Sequence, residues 1–259
     1  MDVSVLTGFS TYFKGSRAPF SITLGGEKIY VLTSAQDVAE ANKHEAALSY
    51  DPVICDLMLT FGVSPDGVDK IYKAKPSFGG DAGRLNPSNK ALADLKTDFY
   101  HLQLLPRSRE AASARPGEFE KLQRSFLKLI QNSIHPKNSS IHGLAEKDKS
   151  LHRWCQSVLV EAGMRAFFGK ALFELDPNIM EHFVDFDDNN WMVWYKWPNA
   201  SAMRVPKAKV LRTLERFLAL PKEEKSDMSF LTKAMEDSMK QLGMSIPDMA
   251  AVVMMQVWV

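Results

Sequence analysis

The sequence predicts a mainly α-helical protein with a small β-hairpin near its start. Two β-rich runs, Phe20–Leu24 and Lys28–Leu32, flank Gly25-Gly26, which is a pattern typical of a hairpin. After them, apolar residues recur at spacings of three and four along most of the chain, as expected of amphipathic helices. No internal repeat or low-complexity tract interrupts this pattern, so nothing in it marks a domain boundary.

Capping residues and prolines mark where the predicted helices begin and end. Ser34, three residues before Asp37, resembles a capping-box start, Pro106 stops one helix, and Gly169 is a C-cap for another. These signals predict helices at Ser34–Lys43, Val53–Phe61, Ser64–Lys75, Asn89–Leu105, Phe119–Ile134, Leu151–Phe168, Asp176–Trp197, Lys207–Leu220, Ser229–Leu242 and Ser245–Val259.

Composition and charge exclude several classes of protein. Hydrophobic residues make up 45% and charged residues 24% of the 259 residues, which is ordinary for a globular protein. The net charge of +1 indicates no polyanionic partner, so we expect no nucleic-acid binding. No apolar run reaches the ~18 residues that span a bilayer, and no signal peptide opens the chain. The sequence alone therefore predicts a cytoplasmic chain.

No motif in the sequence predicts catalytic, cofactor-binding or metal-ligating residues. The 6 histidines are scattered without metal-ligand spacing, and nucleophile-elbow, Walker and dinucleotide motifs do not occur. Cys55 and Cys155 are too few for a disulfide scaffold and indicate a reducing compartment. We expect both to be buried or half-buried thiols.

Three tryptophans lie close together in the sequence. Trp191, Trp194 and Trp197 trace one stripe if the segment is helical. Packing in the core is the ordinary explanation for such a stripe. The alternative is a boundary between water and an apolar phase, to which tryptophan is suited.

The last predicted helix is apolar on every face. Gln256 is the only polar residue in Met249–Val259. A helix of this kind belongs inside a core or a membrane, and this one is too short to span a membrane. We interpret its abrupt apolar end as a chain cut within an interior helix. The alternative is a terminal helix docked in a groove of its own domain.

Four stretches of the chain are similar to those of a known family, and they are Arg17–Ser34, Asp56–Pro65, Leu85–Ser88 and Phe167–Leu172. They resemble fungal cytochromes P-450, in particular the branch related to sterol hydroxylases and prostacyclin synthase, and they follow the family's linear order. The resemblance implies the N-terminal part of the cytochrome P-450 fold, truncated at the start of the central helix that crosses the haem. Residues 1–259 would then be a single incomplete domain.

The resemblance also implies an activity for the whole parent protein. That activity is haem-dependent hydroxylation of an apolar small molecule, such as a sterol, a lipid or a secondary metabolite, with electrons from a reductase partner. The parent would reside at the endoplasmic reticulum membrane and make contact with it. The resemblance places the last helix at the start of the central helix that faces the haem. Met254 and Trp258 lie one turn apart on it, and the resemblance therefore makes them the expected substrate contacts.

The motifs that carry the family's chemistry do not occur in this chain. Neither the Glu-x-x-Arg motif nor the Phe-x-x-Gly-x-x-x-Cys-x-Gly loop, whose cysteine binds haem iron, is present. We therefore expect the chain to be inactive alone. The alternative function is a non-enzymatic helical remnant, or a binding module that uses the apolar last helix for docking.

Overall fold

The computed structural model describes residues 18–24, 26–44, 48–78, 85–105, 117–134, 151–194, 197 and 199–258, without the side chains of 24, 27, 151–153, 194 and 256–258. Within this part the protein is mainly helical, with one small antiparallel sheet, which confirms the predicted combination of helices and a hairpin. The relation to the cytochrome P-450 fold stays a prediction.

The hairpin consists of β1 (Phe20–Leu24) and β2 (Glu27–Val31). The strands are antiparallel, with Phe20 opposite Val31 and Leu24 opposite Glu27. Gly26 in the turn has φ 88°, a left-handed value that glycine adopts without strain. The predicted hairpin is confirmed, and its second strand begins one residue earlier than expected.

Twelve α-helices follow in the described part of the chain, and two short 3₁₀ helices, Ala200–Met203 and Lys222–Lys225, lie among them. The α-helices are α1 (Ala35–Lys43), α2 (Asp51–Phe61), α3 (Pro65–Lys73), α4 (Leu92–Leu104), α5 (Glu118–Ile134), α6 (Leu151–Phe168), α7 (Ala171–Leu175), α8 (Ile179–Asp187), α9 (Trp191–Trp194), α10 (Arg204–Ala219), α11 (Phe230–Gln241) and α12 (Ile246–Trp258).

Two helix ends are capped by the residues that the sequence predicted. The Ser34 side chain accepts a hydrogen bond from the Asp37 amide at 3.0 Å, as an N-cap does. Gly169 follows α6 with φ 72° and donates its amide to the Arg165 carbonyl at 2.9 Å.

The single helix predicted over Asp176–Trp197 is instead two helices, α8 and α9. The chain turns at Asp187–Asn190, where the Asn190 side chain donates to the Asp187 carboxylate at 3.2 Å. Asparagine and aspartate side chains compete for hydrogen bonds with the helix backbone, so a run of them favours a turn. The short α7 was not predicted.

One hydrophobic cluster contains buried residues from α2–α4 and α6–α12. Helix α12 packs against α2, α10 and α11. The helix α5 contributes no fully buried residue, although its predicted apolar positions, such as Phe126, are half-buried. On α4, the predicted apolar residues Leu102 and Leu105 are exposed, so the buried stripe of this helix is narrower than the sequence indicated.

Beyond its first two residues, the described side chains of α12 are covered by the protein's own helices. All seven from Met249 to Met255 are buried, with Ala250 and Met254 fully so. Burial within the described chain therefore accounts for these apolar faces without any further protein around them. The interpretation of α12 as an interrupted interior helix, and of residues 1–259 as an incomplete domain, stays a prediction.

A buried glutamine fixes α4 against two other helices. Gln103, 1% exposed, donates its side-chain amide to the Glu118 carbonyl at 2.8 Å. Its side-chain oxygen accepts the Leu231 amide at 3.0 Å. The Leu231 amide is in the first turn of α11, where N–H groups lack internal partners, and the Glu118 carbonyl is at the start of α5. Gln103 thereby holds α4 in the position from which it lines a cavity.

Candidate functional site

An apolar cavity of about 430 Å³ lies between α4 and α12. This volume is within the range of small-molecule sites in proteins, roughly 300–1,000 Å³. Helix α4 provides four of the lining residues, at intervals of four along one face: Leu92, Lys96, Tyr100 and Leu104. Leu92 is buried, whereas Leu104 is exposed, so the cavity is closed at one end of α4 and reaches the surface at the other.

The remaining wall of the cavity is entirely apolar. The residues on it come from α2, α3, α11 and α12, and they are Ile54, Met58, Ile71, Met235, Val252 and Met255. Three of them are methionines, whose flexible side chains adapt to ligands of different shape. The cavity is therefore suited to apolar small molecules and can adapt to ligands of more than one shape.

A second apolar cavity, of about 330 Å³, adjoins the first across α4. Both cavities are lined by Tyr100 and Leu104. The other walls of the second cavity include Phe167 from α6 and Phe183 from α8. Tyr100 thus stands between two apolar spaces, and burial raises the pKa of its phenol.

The two predicted substrate contacts lie on α12, the helix that lines the first cavity. Met254 is fully buried, and the cavity is lined by its neighbour Met255 and by Val252 instead. The side chain of Trp258 lies outside the described residues. The assignment of Met254 and Trp258 as substrate contacts stays a prediction.

The two thiols do not form a site for haem iron. Cys55 and Cys155 are free and half-buried, as expected, and lie within helices α2 and α6. Cys55 is hydrogen-bonded to Tyr72 near Asp51, and the Tyr72 pKa is raised, first by burial and then by Cys55 and Asp51. A thiolate that binds iron needs a surrounding shell of hydrogen-bond donors, whereas both thiols here lie within helices. Among the described residues, no group of three or more His, Cys, Asp or Glu could hold a metal. The donors present therefore do not fit a haem ligand.

A polar cluster around Asp176 joins α8 to α10. Its carboxylate accepts hydrogen bonds from the Thr213 hydroxyl at 2.7 Å and the Asn178 amide at 3.0 Å, and contacts His182 Nδ1 at 3.1 Å. Burial would raise the pKa of Asp176, but the hydrogen bonds from Thr213, Asn178 and His182 outweigh it and lower that pKa. The carboxylate is fully engaged in linking the two helices, so we assign it a structural role.

Two of the three tryptophans, Trp191 and Trp197, do not have the burial that core packing would require. Trp191 and Trp197 are 41% and 43% exposed, with ring centroids 5.5 Å apart. The side chain of Trp194 lies outside the described residues. An exposed pair of this kind is suited to a boundary between water and an apolar phase. Within the described residues, no helix combines the length and hydropathy needed to cross a membrane.

Sequence reasoning missed Lys96 as a lining residue. The residue lies four positions after Leu92 and three before Phe99, both of which are buried. A lysine at this spacing falls on the apolar stripe of an amphipathic helix, where charged residues are uncommon. That misplaced charge was the signal in the sequence that could have singled out Lys96.

Comparisons with known proteins leave the chain without an assigned relative. No family model matches it, and neither the curated proteins nor the solved structures include a significant match.

Proposed function

We propose that this chain is the substrate-binding, N-terminal part of a haem-dependent monooxygenase of the cytochrome P-450 type. The observation that supports the proposal is the apolar cavity of about 430 Å³ beside α12, the helix that the resemblance identifies with the family's central helix. An apolar small molecule, such as a sterol, a lipid or a secondary metabolite, is the proposed substrate. The haem supplies oxygen activation when bound, and a reductase supplies electrons.

The residues of this chain are assigned a positioning role. Val252 and Met255 on α12, with Met58 on α2, form the surface against which an apolar ligand rests. Their burial excludes water from the ligand's apolar surface. Because the described thiols do not fit an iron ligand, the proposal assigns to this chain the pocket and not the oxidation step.

Membrane contact of the parent is also part of the proposal. The exposed Trp191 and Trp197 rings support it, because tryptophan is enriched where an apolar phase meets water. Residence at the endoplasmic reticulum membrane follows from the family resemblance and has no separate support in the fold.

The alternative of a binding module that docks through its apolar last helix has less support. The side chains from Met249 to Met255 are buried against α2, α10 and α11, so they are not available to a partner. A binding module that acts through the cavity is the form of this alternative that the geometry favours. It differs from the monooxygenase proposal only in whether the bound molecule is oxidised.

The pocket is tested by titrating the protein with Nile red, a neutral apolar fluorophore. We expect saturable binding with a blue-shifted emission. The variant Val252→Phe, which places a ring in the cavity, is expected to weaken binding at least about tenfold. The control Val205→Phe is at a position 65% exposed on α10 and should leave binding unchanged. Equal binding by both variants, each shown to be folded by circular dichroism, would refute the pocket.

The family assignment is tested separately on the transcript. We expect the reading frame to continue beyond Val259 through a Phe-x-x-Gly-x-x-x-Cys-x-Gly loop. A frame that lacks this loop would refute the monooxygenase proposal and leave the apolar pocket as a binding site.

A further inference from the structure

The first cavity has one charged side chain on its wall. Of its ten lining residues, Lys96 alone carries a charge, and the only other polar side chain is that of Tyr100. Lys96 is half-buried, so part of its side chain lies against the cavity. A cation placed against an apolar surface is disfavoured unless an opposite charge or a set of acceptors compensates for the lost hydration.

No acidic residue compensates for the charge of Lys96 in the described part of the chain. The nearby Lys90 contrasts with it, because its ammonium donates to both oxygens of Asp98, at 3.0 and 2.7 Å. Asp98 is therefore already paired, and Asp94 on the same helix is exposed. Among the residues that the structure describes, Lys96 has neither a hydrogen-bond nor an ion-pair partner.

Tyr100 adds a second donor on the same face of α4. It lies four residues after Lys96, so the two side chains are neighbours on the helix surface. Burial raises the pKa of the Tyr100 phenol, which keeps its proton in place at neutral pH. Its hydroxyl has no protein partner among the described residues. Two residues that carry donors without acceptors among the described residues thus line one apolar cavity.

From this arrangement we infer that the cavity binds an apolar molecule with a carboxylate, which accepts hydrogen bonds from Lys96 and Tyr100. The inference rests on the proposed apolar pocket and specifies its ligand class. A neutral apolar ligand leaves the ammonium group without a counter-charge, and a cationic ligand adds a like charge beside it. An anionic ligand satisfies both donors in one contact, and charge-assisted hydrogen bonds are the stronger kind.

The experiment compares decanoate, decanol and decyltrimethylammonium, which share one alkyl chain and differ in charge. Their dissociation constants are measured at neutral pH by displacement of Nile red from the wild-type protein. Decanoate is expected to bind about tenfold more tightly than decanol, and the cation more weakly than decanol. Equal affinities for decanoate and decanol overturn the inference and leave the apolar pocket standing. Failure of every probe, including Nile red, overturns both.

Variants at Lys96 assign the preference to this residue. Lys96→Met keeps an apolar stem without the charge and should bring the ratio of decanol to decanoate dissociation constants to about one. Lys96→Arg keeps the charge and should keep the preference. The control Lys209→Met removes an exposed lysine on α10, away from the cavity, and should behave as wild type. A preference that survives in Lys96→Met overturns the inference. If that variant does not fold, Lys96→Gln gives the same test.

Discussion

The carboxylate of Asp248 joins the first turn of α12 to the first turn of α3. It accepts hydrogen bonds from the Ser64 amide at 2.6 Å, the Ser64 hydroxyl at 3.0 Å and the Ser245 hydroxyl at 2.7 Å. Burial would raise the pKa of Asp248, but these bonds and the nearby charge of Lys70 outweigh it and lower that pKa. One side chain therefore fixes the N-terminus of the helix that lines the cavity.

Replacing Asp248 by asparagine is expected to destabilise the protein by about 2 kcal/mol at neutral pH, because charge-assisted hydrogen bonds are lost. The folded-state pKa lies below the reference value of 3.8, so this stabilisation is complete above about pH 4. It is lost as pH falls through the folded-state pKa. Urea unfolding of wild type and Asp248→Asn should therefore differ at pH 7 and converge at low pH.

The control for this measurement is Asp69→Asn. Asp69 pairs with Lys73 on the exposed face of α3, with side chains 63% and 74% exposed, and a surface pair contributes little. Its replacement should change stability only slightly. An Asp248→Asn protein as stable as this control at neutral pH would contradict the role assigned to Asp248.

A second buried charge, Lys225, closes the C-terminal end of α10. Its ammonium donates to the carbonyls of Phe217 and Leu218, at 3.1 and 3.2 Å, and to Glu236 at 2.7 Å. Lys225 is fully buried, and Glu236 is 2% exposed. Burial lowers the pKa of Lys225 and outweighs the opposing effect of Glu236. The pair therefore fixes the joint between α10 and α11 more than it adds net stability.

Lys225→Met is expected to cost about 3 kcal/mol in the free energy of unfolding, because it leaves a buried carboxylate with reduced compensation. The double variant Lys225→Met/Glu236→Met should recover most of that loss. Lys222→Met removes an exposed lysine three residues away that pairs with Asp237, and should have a small effect. Chemical denaturation of the three variants measures the difference. Equal losses in Lys225→Met and Lys222→Met would contradict the account.

Among single residues, the sequence predicted the helix-capping roles better than it predicted the partners of buried charges. Ser34 and Gly169 have the roles expected of them, because capping depends on residues close in the chain. The contacts of Asp248 with Ser64 and of Lys225 with Glu236 depend on tertiary packing, so no local pattern indicated them.

Among the elements, α3 and α12 approach closely at a glycine. A Cβ atom on Gly67 would lie 2.9 Å from a Val63 methyl carbon and 3.0 Å from the Asp248 carboxyl carbon. These distances are shorter than an ordinary van der Waals contact. Gly67 thus allows the carboxylate of Asp248 to reach Ser64, at a helix position where glycine is otherwise unfavourable.

Gly67→Ala is expected to destabilise the protein by about 1–3 kcal/mol, because the added methyl group overpacks the contact with Asp248. The matched variant is Gly163→Ala in the interior of α6, where a Cβ meets nothing within 4 Å. It should stabilise by about 0.5–1 kcal/mol through the better helix propensity of alanine. Thermal unfolding measures the change in stability of each variant relative to wild type. A Gly67→Ala protein more stable than wild type would contradict the close approach of α3 and α12 at this glycine.

The elements that were predicted well are those with long, regular patterns. Helix α6 has the bounds that its apolar periodicity indicated, and the hairpin lies where two β-rich runs flank glycines. The turn at Asp187–Asn190 was missed because apolar residues continue at helical spacing on either side of it. The five-residue α7 was missed because it is too short for a periodic signal.

In the whole molecule, the cavity between α4 and α12 is the feature with the clearest functional meaning. It is assembled from helices far apart in sequence, so local patterns could not predict it. They indicated only that α12 is interior and that α4 has an apolar face. On α12, Met255 lines the cavity and Met254 is fully buried, because the face of a helix toward a cavity depends on its rotation in the packed structure. The assignment of Met254 as a substrate contact stays a prediction.

The central claim is that an apolar molecule binds in the cavity between α4 and α12. Its most direct test is an NMR spectrum of the methionine methyl groups, recorded while the protein is titrated with Nile red. Met58, Met235 and Met255 line the cavity, whereas Met180 and Met228 are not among its lining residues. The account predicts saturable shifts of the first three signals by the ring current of the bound dye, with the other two unchanged. Shifts confined to Met180 or Met228, or no saturable shift at the cavity methionines, would contradict it.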